Sequence, residues 1–423
     1  MMITVIGLGF VGLTTALGFC EKGYKVYGVE INDDKRKQLN DGDVPFFEPY
    51  LEVKLRQFLN KGFIVTQNLQ QAVKESELII FCVGTPNDVD GNVDLKYLYQ
   101  SIAETLIYVT EAKYRVLVIK STIPPSTTKE KIMPFIESKD FKIGKDIGLA
   151  NNPEFLREGY AWEDFTQPDR IVIGIDIDDK KGKEILKKYY EKFDSPIFFQ
   201  STNTAEYIKY LSNTLLSTMI SFSNEQSMLA HKLGNIDIAS AFKILHLDKR
   251  WYGSSNKPAD MSKYVYPGCG FGGYCLPKDT KALASLFLKK SIQPQILNSV
   301  LETNTKIKEF LFERFNAEVS TNETIGILGL AFKPESDDVR ESVAKDFINL
   351  LKDKGYNKIK VYDPLATKVF KDTYRLDVTY STSLDKLLEN TDTIIILTAW
   401  KEFIKNKDIL KQKKLYDFRY YLN

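Results

Sequence analysis

The stretch from Ile3 to Ile31, ITVIGLGFVGLTTALGFCEKGYKVYGVEI, leaves a chain like this few ways to fold. It reads as a short apolar run, a GLGFVG turn, an apolar-periodic helix from Val11 to Glu21, and a second apolar run closing on Glu30, which together make a βαβ unit. Gly7 permits the tight turn, Gly9 lets the backbone approach a pyrophosphate at the helix N-terminus, and Gly12 lets helix and strand pack closely. A GxGxxG alone is a weak signal. Here a strand precedes it, a helix follows it, and an acid stands 18 positions beyond Gly12. Glu30 would accept hydrogen bonds from ribose hydroxyls and repel a 2′-phosphate, so the cofactor expected is NAD. Lys35 and Arg36, a few residues on, leave NADP open.

Strand and helix signals then alternate through FIVTQ (63–67), LIIFCVGTP (78–86), VLVIKST (116–122), IGLANNPE (147–154), PDRIVIG (168–174) and IFFQST (197–202). Alternation of this kind predicts a parallel, doubly wound sheet, whose ligands bind beyond the carboxyl ends of the strands. Gly84-Thr85-Pro86, Lys120-Ser121-Thr122 and Asn152-Pro153-Glu154 fall there, either as ligand contacts or as ordinary strand-to-loop punctuation. From Thr204 to about Gly234 the pattern becomes one long helix with Ile208, Leu211, Leu215, Met219 and Phe222 at helical spacing, read as a core-facing stripe. The same helix also reads as a spacer between domains and a dimer surface. Lys209 and Asn213, four apart, project from one face, as a pair that polarises an oxyanion or as a solvated pair. From Glu323 the βα pattern returns in TIGILGLAF, KIKVYDP, DTIIILTAW and KLYDFR, without a second GxGxxG. Lys333 and Arg340 near its first strand could hold phosphate. The expected class is α/β: two Rossmann-like doubly wound domains, 1–202 and 321–423, joined by a central helical domain, 203–320, with one long helix.

Within that central part, Tyr266 to Thr280 reads YPGCGFGGYCLPKDT. It sets a thiol at Cys275, an ammonium at Lys278 and a carboxylate at Asp279 just after four glycines (Gly268, Gly270, Gly272, Gly273) that would let backbone come close to a ligand. A cation or a helix N-terminus lowers a thiol's pKa, and a neighbouring acid can move protons. DTKALASLFLKK predicts a helix capped by Asp279 or Thr280, with Cys275 near its positive end. The alternative on local grounds is a small packed cysteine among glycine turns.

The totals exclude several classes. At 423 residues the chain exceeds one compact core, and 43% apolar with 27% charged residues describes an ordinary globular protein. A formal net charge of +2 gives no case for nucleic acid. No apolar stretch approaches the roughly 20 residues that span a bilayer, and with strand-like ITVIG read at once, without a charged region and cleavage site, no signal sequence is expected. Four cysteines (Cys20, Cys82, Cys269, Cys275) suit a reducing compartment, so the expected location is cytoplasmic. Two histidines (His231, His246) and no CxxC or HxxxH spacing argue against a metal site.

Taken together, GLGFVG, the GTP and STIPPST loops, NPEFLREG (152–159), PDRIVIG, KYLSNT (209–214), GFGGYCLPKDT and GLAFKPESDDVRES resemble the nucleotide-sugar dehydrogenase family, over essentially the whole chain. The resemblance implies oxidation of a primary alcohol to a carboxylate in two NAD-dependent steps, through a cysteine thiohemiacetal and a thioester. By the resemblance Cys275 is the nucleophile, Lys209 and Asn213 stabilise oxyanions, and Asp279 accepts a proton or positions water. Thr122, and Glu154 through water, stand at the alcohol. The backbone of Phe155, Leu156 and Arg157, with Phe271, Gly272, Phe332 and Lys333, match the nucleotide-sugar side. Gly7, Gly9, Gly12, Glu30, Lys35, Thr85, Thr122, Glu158 and Arg340 fall with the cofactor.

The members acting on UDP-glucose carry an Asp-x-Arg-Ile-Gly stretch whose arginine enters the neighbouring subunit's sugar site. This chain reads LDKRWYGSSNKPADMSKYVYPGCG (247–270) instead, with Arg250, Lys257 and Lys263 as candidates for that part. UDP-glucose is the expected substrate, from the PKDT after the cysteine, in a homodimer that supplies precursors of surface polysaccharide. The alternatives are the same chemistry on GDP-mannose or a UDP-N-acetylhexosamine, a two-electron dehydrogenase without a cysteine intermediate, and a non-catalytic NAD-binding scaffold.

Overall fold

The structure, a computed structural model, describes residues 1–88, 91–110, 113–253 and 256–422. The chain divides into two compact units, Met1–Leu211 and Ser212–Asn423. In the first unit, strands β1 (Met2–Ile6), β2 (Lys25–Val29), β3 (Phe63–Thr66), β4 (Leu78–Phe81), β5 (Arg115–Ile119), β6 (Ile147–Asn151), β7 (Ile171–Ile175) and β8 (Ile197–Gln200) form one sheet in the order β3-β2-β1-β4-β5-β6-β7-β8. The run of the central strand β4, LIIF, is apolar and buried without a break because both faces are covered. Leu78 and Ile80 enter the core on one face, while Ile79 and Phe81 enter the core on the other.

The strand order reverses between β1 and β4, the switch point where a ligand crevice opens. One pairing departs from the parallel expectation: β6 and β7 run antiparallel, with Ala150 opposite Ile175. The link between them holds only the six-residue helix Ala161–Thr166, whereas the helix that carries β7 to its parallel neighbour β8, Lys180–Tyr190, has eleven residues. The shorter link turns the chain back, and an antiparallel neighbour needs no crossover.

The second unit holds a five-stranded, wholly parallel sheet of β9 (Ile325–Leu328), β10 (Ile359–Tyr362), β11 (Thr379–Tyr380), β12 (Thr393–Ile396) and β13 (Lys414–Asp417), ordered β11-β10-β9-β12-β13. Ile307, Leu311 and Phe315 of the helix Gln295–Glu318 and Phe347 of the helix Val343–Asp353 pack on it.

The long helix spans Thr202–Leu233, beginning in the first unit and continuing in the second. Its apolar stripe is not core: Leu211, Leu215 and Phe222 are 51%, 43% and 51% exposed, while Ile208 and Met219 are half-buried. The side buried in the second unit carries Ser217, Ser221, Asn224 and Ser227 instead. Small hydroxyls suit close packing because each finds a partner, as Ser221 Oγ does on the Val300 carbonyl at 3.0 Å and Ser217 Oγ with Thr280 Oγ1 at 2.9 Å. Periodicity identified a face correctly and its environment wrongly.

Candidate active site

The glycine turn of the first unit is built as its sequence requires, with one glycine kept for space. Gly7 has φ of +86°, and a Cβ at Gly12 would sit 1.8 Å from the Gly7 carbonyl oxygen, so both serve the strand–helix junction. A Cβ at Gly9 would meet nothing within 4 Å. The helix Phe10–Glu21 starts beside it without a side-chain cap, so its first-turn N–H groups face an open approach suited to an anion. Glu30 is buried at the end of β2, where its carboxylate accepts from the backbone N–H groups of Leu8 and Asn32, each at 3.1 Å. Burial pushes its pKa up, but those N–H groups and Lys35, at 3.0 Å, outweigh it and hold Glu30 below the usual carboxylate range. Lys35 is thereby an ion partner of Glu30. Arg36 donates to the Glu30 carbonyl and pairs with Asp33. An open glycine, an uncapped helix start and an ionised acid at the ribose position fit a dinucleotide.

Beyond the strand ends, Thr85 Oγ1 donates to the Thr122 carbonyl at 2.9 Å, which ties the GTP and STIPPST loops together. Glu154, 7% exposed, forms an ion pair with Lys209, 4% exposed, at 2.9 Å. Burial raises the Glu154 pKa, yet Lys209 and the Leu156 N–H, at 2.6 Å, bring it below the ordinary value. Lys209 and Arg170 both approach the Phe155 ring, at 5.6 and 4.3 Å. Arg157 makes a bidentate pair with Asp164 on the surface, and Glu158 beside it is half-buried.

In the second unit the cysteine stretch differs from the expectation at its cap. The helix begins at Cys275 itself and runs to Lys289. Asp279 and Thr280 cap nothing: Thr280 Oγ1 bonds back to the Leu276 carbonyl at 2.7 Å, and Asp279 is 1% exposed between Asn213 Nδ2 and Lys278 Nζ, each at 2.6 Å. Pro277 suits this earlier start, because the first turn of a helix needs no N–H from it. Cys275 is therefore exposed at the positive end of the helix dipole. Burial pushes the thiols of Cys20, Cys82 and Cys269 up to about 12. Among the described residues no cysteine is in a disulfide, no acid–histidine–cysteine cluster could hold a metal, and no helix is long and apolar enough to cross a membrane.

The glycines before Cys275 serve packing within the chain. A Cβ at Gly268 would meet the Arg419 guanidinium at 2.6 Å, at Gly270 the Asn304 amide oxygen at 2.5 Å, at Gly272 the Glu341 carbonyl at 2.2 Å and at Gly273 the Phe332 ring at 2.8 Å. Phe271 is clamped at both backbone groups by the Asn304 side chain, at 2.7 and 3.0 Å, and the Gly273 N–H donates to the Arg340 carbonyl at 2.9 Å. Arg340 pairs with Asp338 through two nitrogens and lies over the Tyr274 ring at 4.6 Å, while Lys333 lies over Phe332 at 5.7 Å. Arg250 is on the surface, paired with Asp248, and Lys263 is paired there with Asp260. Lys257 is also exposed. Asn304 and Asn224, whose Oδ1 accepts from the Gly268 N–H at 2.8 Å, escaped the sequence reading because both act across more than thirty residues.

Three parts of the chain match descriptions of one family, UDP-glucose/GDP-mannose dehydrogenase: its NAD binding domain over residues 1–194, its central domain over 203–306 and its UDP binding domain over 326–423. The chain is 34% identical over 411 residues to a UDP-glucose 6-dehydrogenase of Rickettsia bellii, covering 95% of this chain and 90% of that protein. It is likewise 34% identical over 372 residues to a GDP-mannose 6-dehydrogenase of Pseudomonas putida, covering 86% and 81%. Its fold matches a UDP-glucose dehydrogenase from the archaeon Pyrobaculum islandicum with a TM-score of 0.86 at 33% identity, over 95% of this chain and 91% of that one. With its NAD-binding domain and its resemblance spread over both units, the chain is an NAD-dependent oxidoreductase and belongs to the UDP-glucose/GDP-mannose dehydrogenase family.

Proposed function

We propose that the protein oxidises the C6 alcohol of UDP-glucose to the carboxylate of UDP-glucuronate, with Cys275 as covalent nucleophile. The observation that carries this reading is the contrast among the thiols: Cys275 alone of the four is exposed, at a helix start, and one turn on Asp279 is buried between Asn213 and Lys278. NAD, when bound at Gly7, Gly9, Gly12, Glu30 and Thr85, supplies hydride acceptance, and two such oxidations separate a primary alcohol from a carboxylate. Thr122 hydrogen-bonds the alcohol, and Glu154 takes its proton through water. The Cys275 sulfur adds to the aldehyde carbon and the former carbonyl oxygen gains a proton, giving a thiohemiacetal that cannot diffuse away. Its oxidation gives a thioester. Water polarised by Asp279 attacks that carbon, and the tetrahedral oxyanion collapses with loss of the Cys275 thiolate. The Lys209 ammonium and the Asn213 amide stabilise the oxyanions of both tetrahedral stages, where removing one such donor costs about 100-fold in rate.

In this reading the chain works as three parts: 1–202 holds NAD, 203–320 carries the cysteine, and 321–423 takes the nucleotide sugar through Phe332 and Lys333. Phe155, Leu156, Arg157, Phe271 and Gly272 line the sugar, with Glu158 and Arg340 on the cofactor side. The exposed Leu211, Leu215 and Phe222 form an apolar ridge on one helix, and a second copy of the chain is the partner that would cover it. Arg250 then reaches the partner's sugar site. The enzyme acts in the cytoplasm, without nucleic acid or membrane, on precursors of surface polysaccharide. The equal identity to a GDP-mannose 6-dehydrogenase makes that sugar the competing substrate. Initial rates with NAD on UDP-glucose, GDP-mannose and UDP-N-acetylhexosamines test the choice: UDP-glucose should give the highest kcat/KM, and a higher value for any other would replace it.

A further inference from the structure

Glu206 lies three residues before Lys209 on the long helix and is 3% exposed. Its Oε1 accepts from the Thr128 N–H at 2.9 Å. Its Oε2 has no partner among the described residues, and neither has Oδ1 of Asn151, whose Nδ2 is committed to the Thr202 carbonyl at 3.0 Å. Both side chains line one small cavity with Ser121, Thr122 and Lys209, with room for about one water molecule. An ionised carboxylate offers only acceptors. Of the groups that favour it, the Thr128 hydroxyl and N–H, the Asn151 side chain and the Ser126 N–H, only the Thr128 N–H makes a well-formed bond, so an anionic Glu206 would leave Oε2 and the Asn151 Oδ1 short of a donor. A proton on Glu206 supplies that donor, to Asn151 directly or through one water. The buried charged groups on the packed elements are Lys209, Glu154 and Lys120, while Lys129, Glu130 and Lys131, on the turn that carries Thr128, are exposed. Lys209 is already paired with Glu154, so an ionised Glu206 would be a second carboxylate competing for one ammonium.

We propose that Glu206 is a positioning residue for Lys209: neutral, it fills the cavity's need for a donor and leaves the ammonium on Glu154, and ionised, it draws the ammonium away from the reacting oxygen. This rests on the reading that Lys209 stabilises an oxyanion. Burial pushes the Glu206 carboxyl up to about 7, against the Thr128 hydroxyl and N–H, the Asn151 side chain and the Ser126 N–H that pull it down, so the change of state falls near neutrality.

Glu206→Gln keeps the shape, carries donors permanently and never ionises. The ratio of variant to wild-type kcat should be near unity at about pH 6 and rise at least about fivefold by about pH 8.5. Melting temperatures give a second reading. A carboxyl with a raised folded pKa contributes stability that is complete below its unfolded pKa and is lost as pH rises through about 7, so wild type should weaken relative to the variant over that range. A flat kcat ratio in an active wild type overturns the positioning role, even with diverging melting curves, because a merely structural acid would move melting alone. A wild type that oxidises no nucleotide sugar defeats the proposed function instead.

Discussion

The first strand of each sheet ends in nearly the same words, VIGLGFVG from Val5 to Gly12 and ILGLAFKP from Ile327 to Pro334, and the second strand of each leads to an acid, Glu30 and Asp363. Gly7 and Gly329 share the left-handed turn, at φ of +86° and +93°. Leu8 and Leu330 then donate their N–H to the acid, at 3.1 and 2.8 Å. After that the two diverge. Ala331 stands where the first turn has the open Gly9, and Pro334 stands where it has Gly12, so a helix does not continue from the second turn. Asp363 is saturated: Leu330, Ala331 and Trp400 donate to Oδ2, and Leu365 and Ala366 to Oδ1, all within 3.1 Å. Glu30 accepts from two backbone groups and a lysine. One turn thus stays open, as the close approach of a dinucleotide would need, and its counterpart has been closed into a structural knot by two residue choices.

Four substitutions can break or sharpen that contrast. The largest effect is expected from Asp363→Ala, which strands five donors, four of them on buried residues, and should lower unfolding stability by about 3 kcal/mol or more in denaturant titration, while folded protein binds NAD as before. A loss of NAD affinity without loss of stability would show the second acid to be a ligand contact. Gly9→Ala comes next. Its Cβ has room, so melting should hold while NAD Kd rises at least about tenfold. Gly12→Ala, with its Cβ 1.8 Å from the Gly7 carbonyl, should lose both together. The smallest effect is that of Glu30→Gln, about tenfold in NAD Kd with better relative use of NADP. Glu30 has a depressed pKa, so its contribution to stability is complete above the unfolded value and lost as pH falls through the folded one; the variant's acid unfolding should be correspondingly flatter.

The comparison also marks how far the sequence could be read. GLGFVG carries most of its own geometry, because the positive φ of Gly7 and the approach of Gly12 to the Gly7 carbonyl lie within one βαβ unit, although Cys82 beyond β4 also crowds both. Strand runs such as LIIF are similarly self-declaring, since burial on both faces leaves only apolar residues. What could not be read depends on partners distant in the chain. The antiparallel turn from β6 to β7, the five donors of Asp363, the Asn304 clamp on Phe271 and the packing of Gly272 against Glu341 are of this kind. The exposed Leu211 and Phe222 failed for another reason: periodicity marks a face and does not name what covers it. Glu206 had a signal, being on the Lys209 face at helical spacing, but only the cavity gave it meaning.

The measurement that bears most directly on the central claim is the count of NADH formed per nucleotide sugar consumed, with excess NAD and UDP-glucose, in wild type and in Cys275→Ser. Oxidation to the acid through a cysteine thioester requires two NADH per sugar from wild type and no release of uronate by the variant. One NADH per sugar, with a variant that turns over normally, would contradict the covalent mechanism.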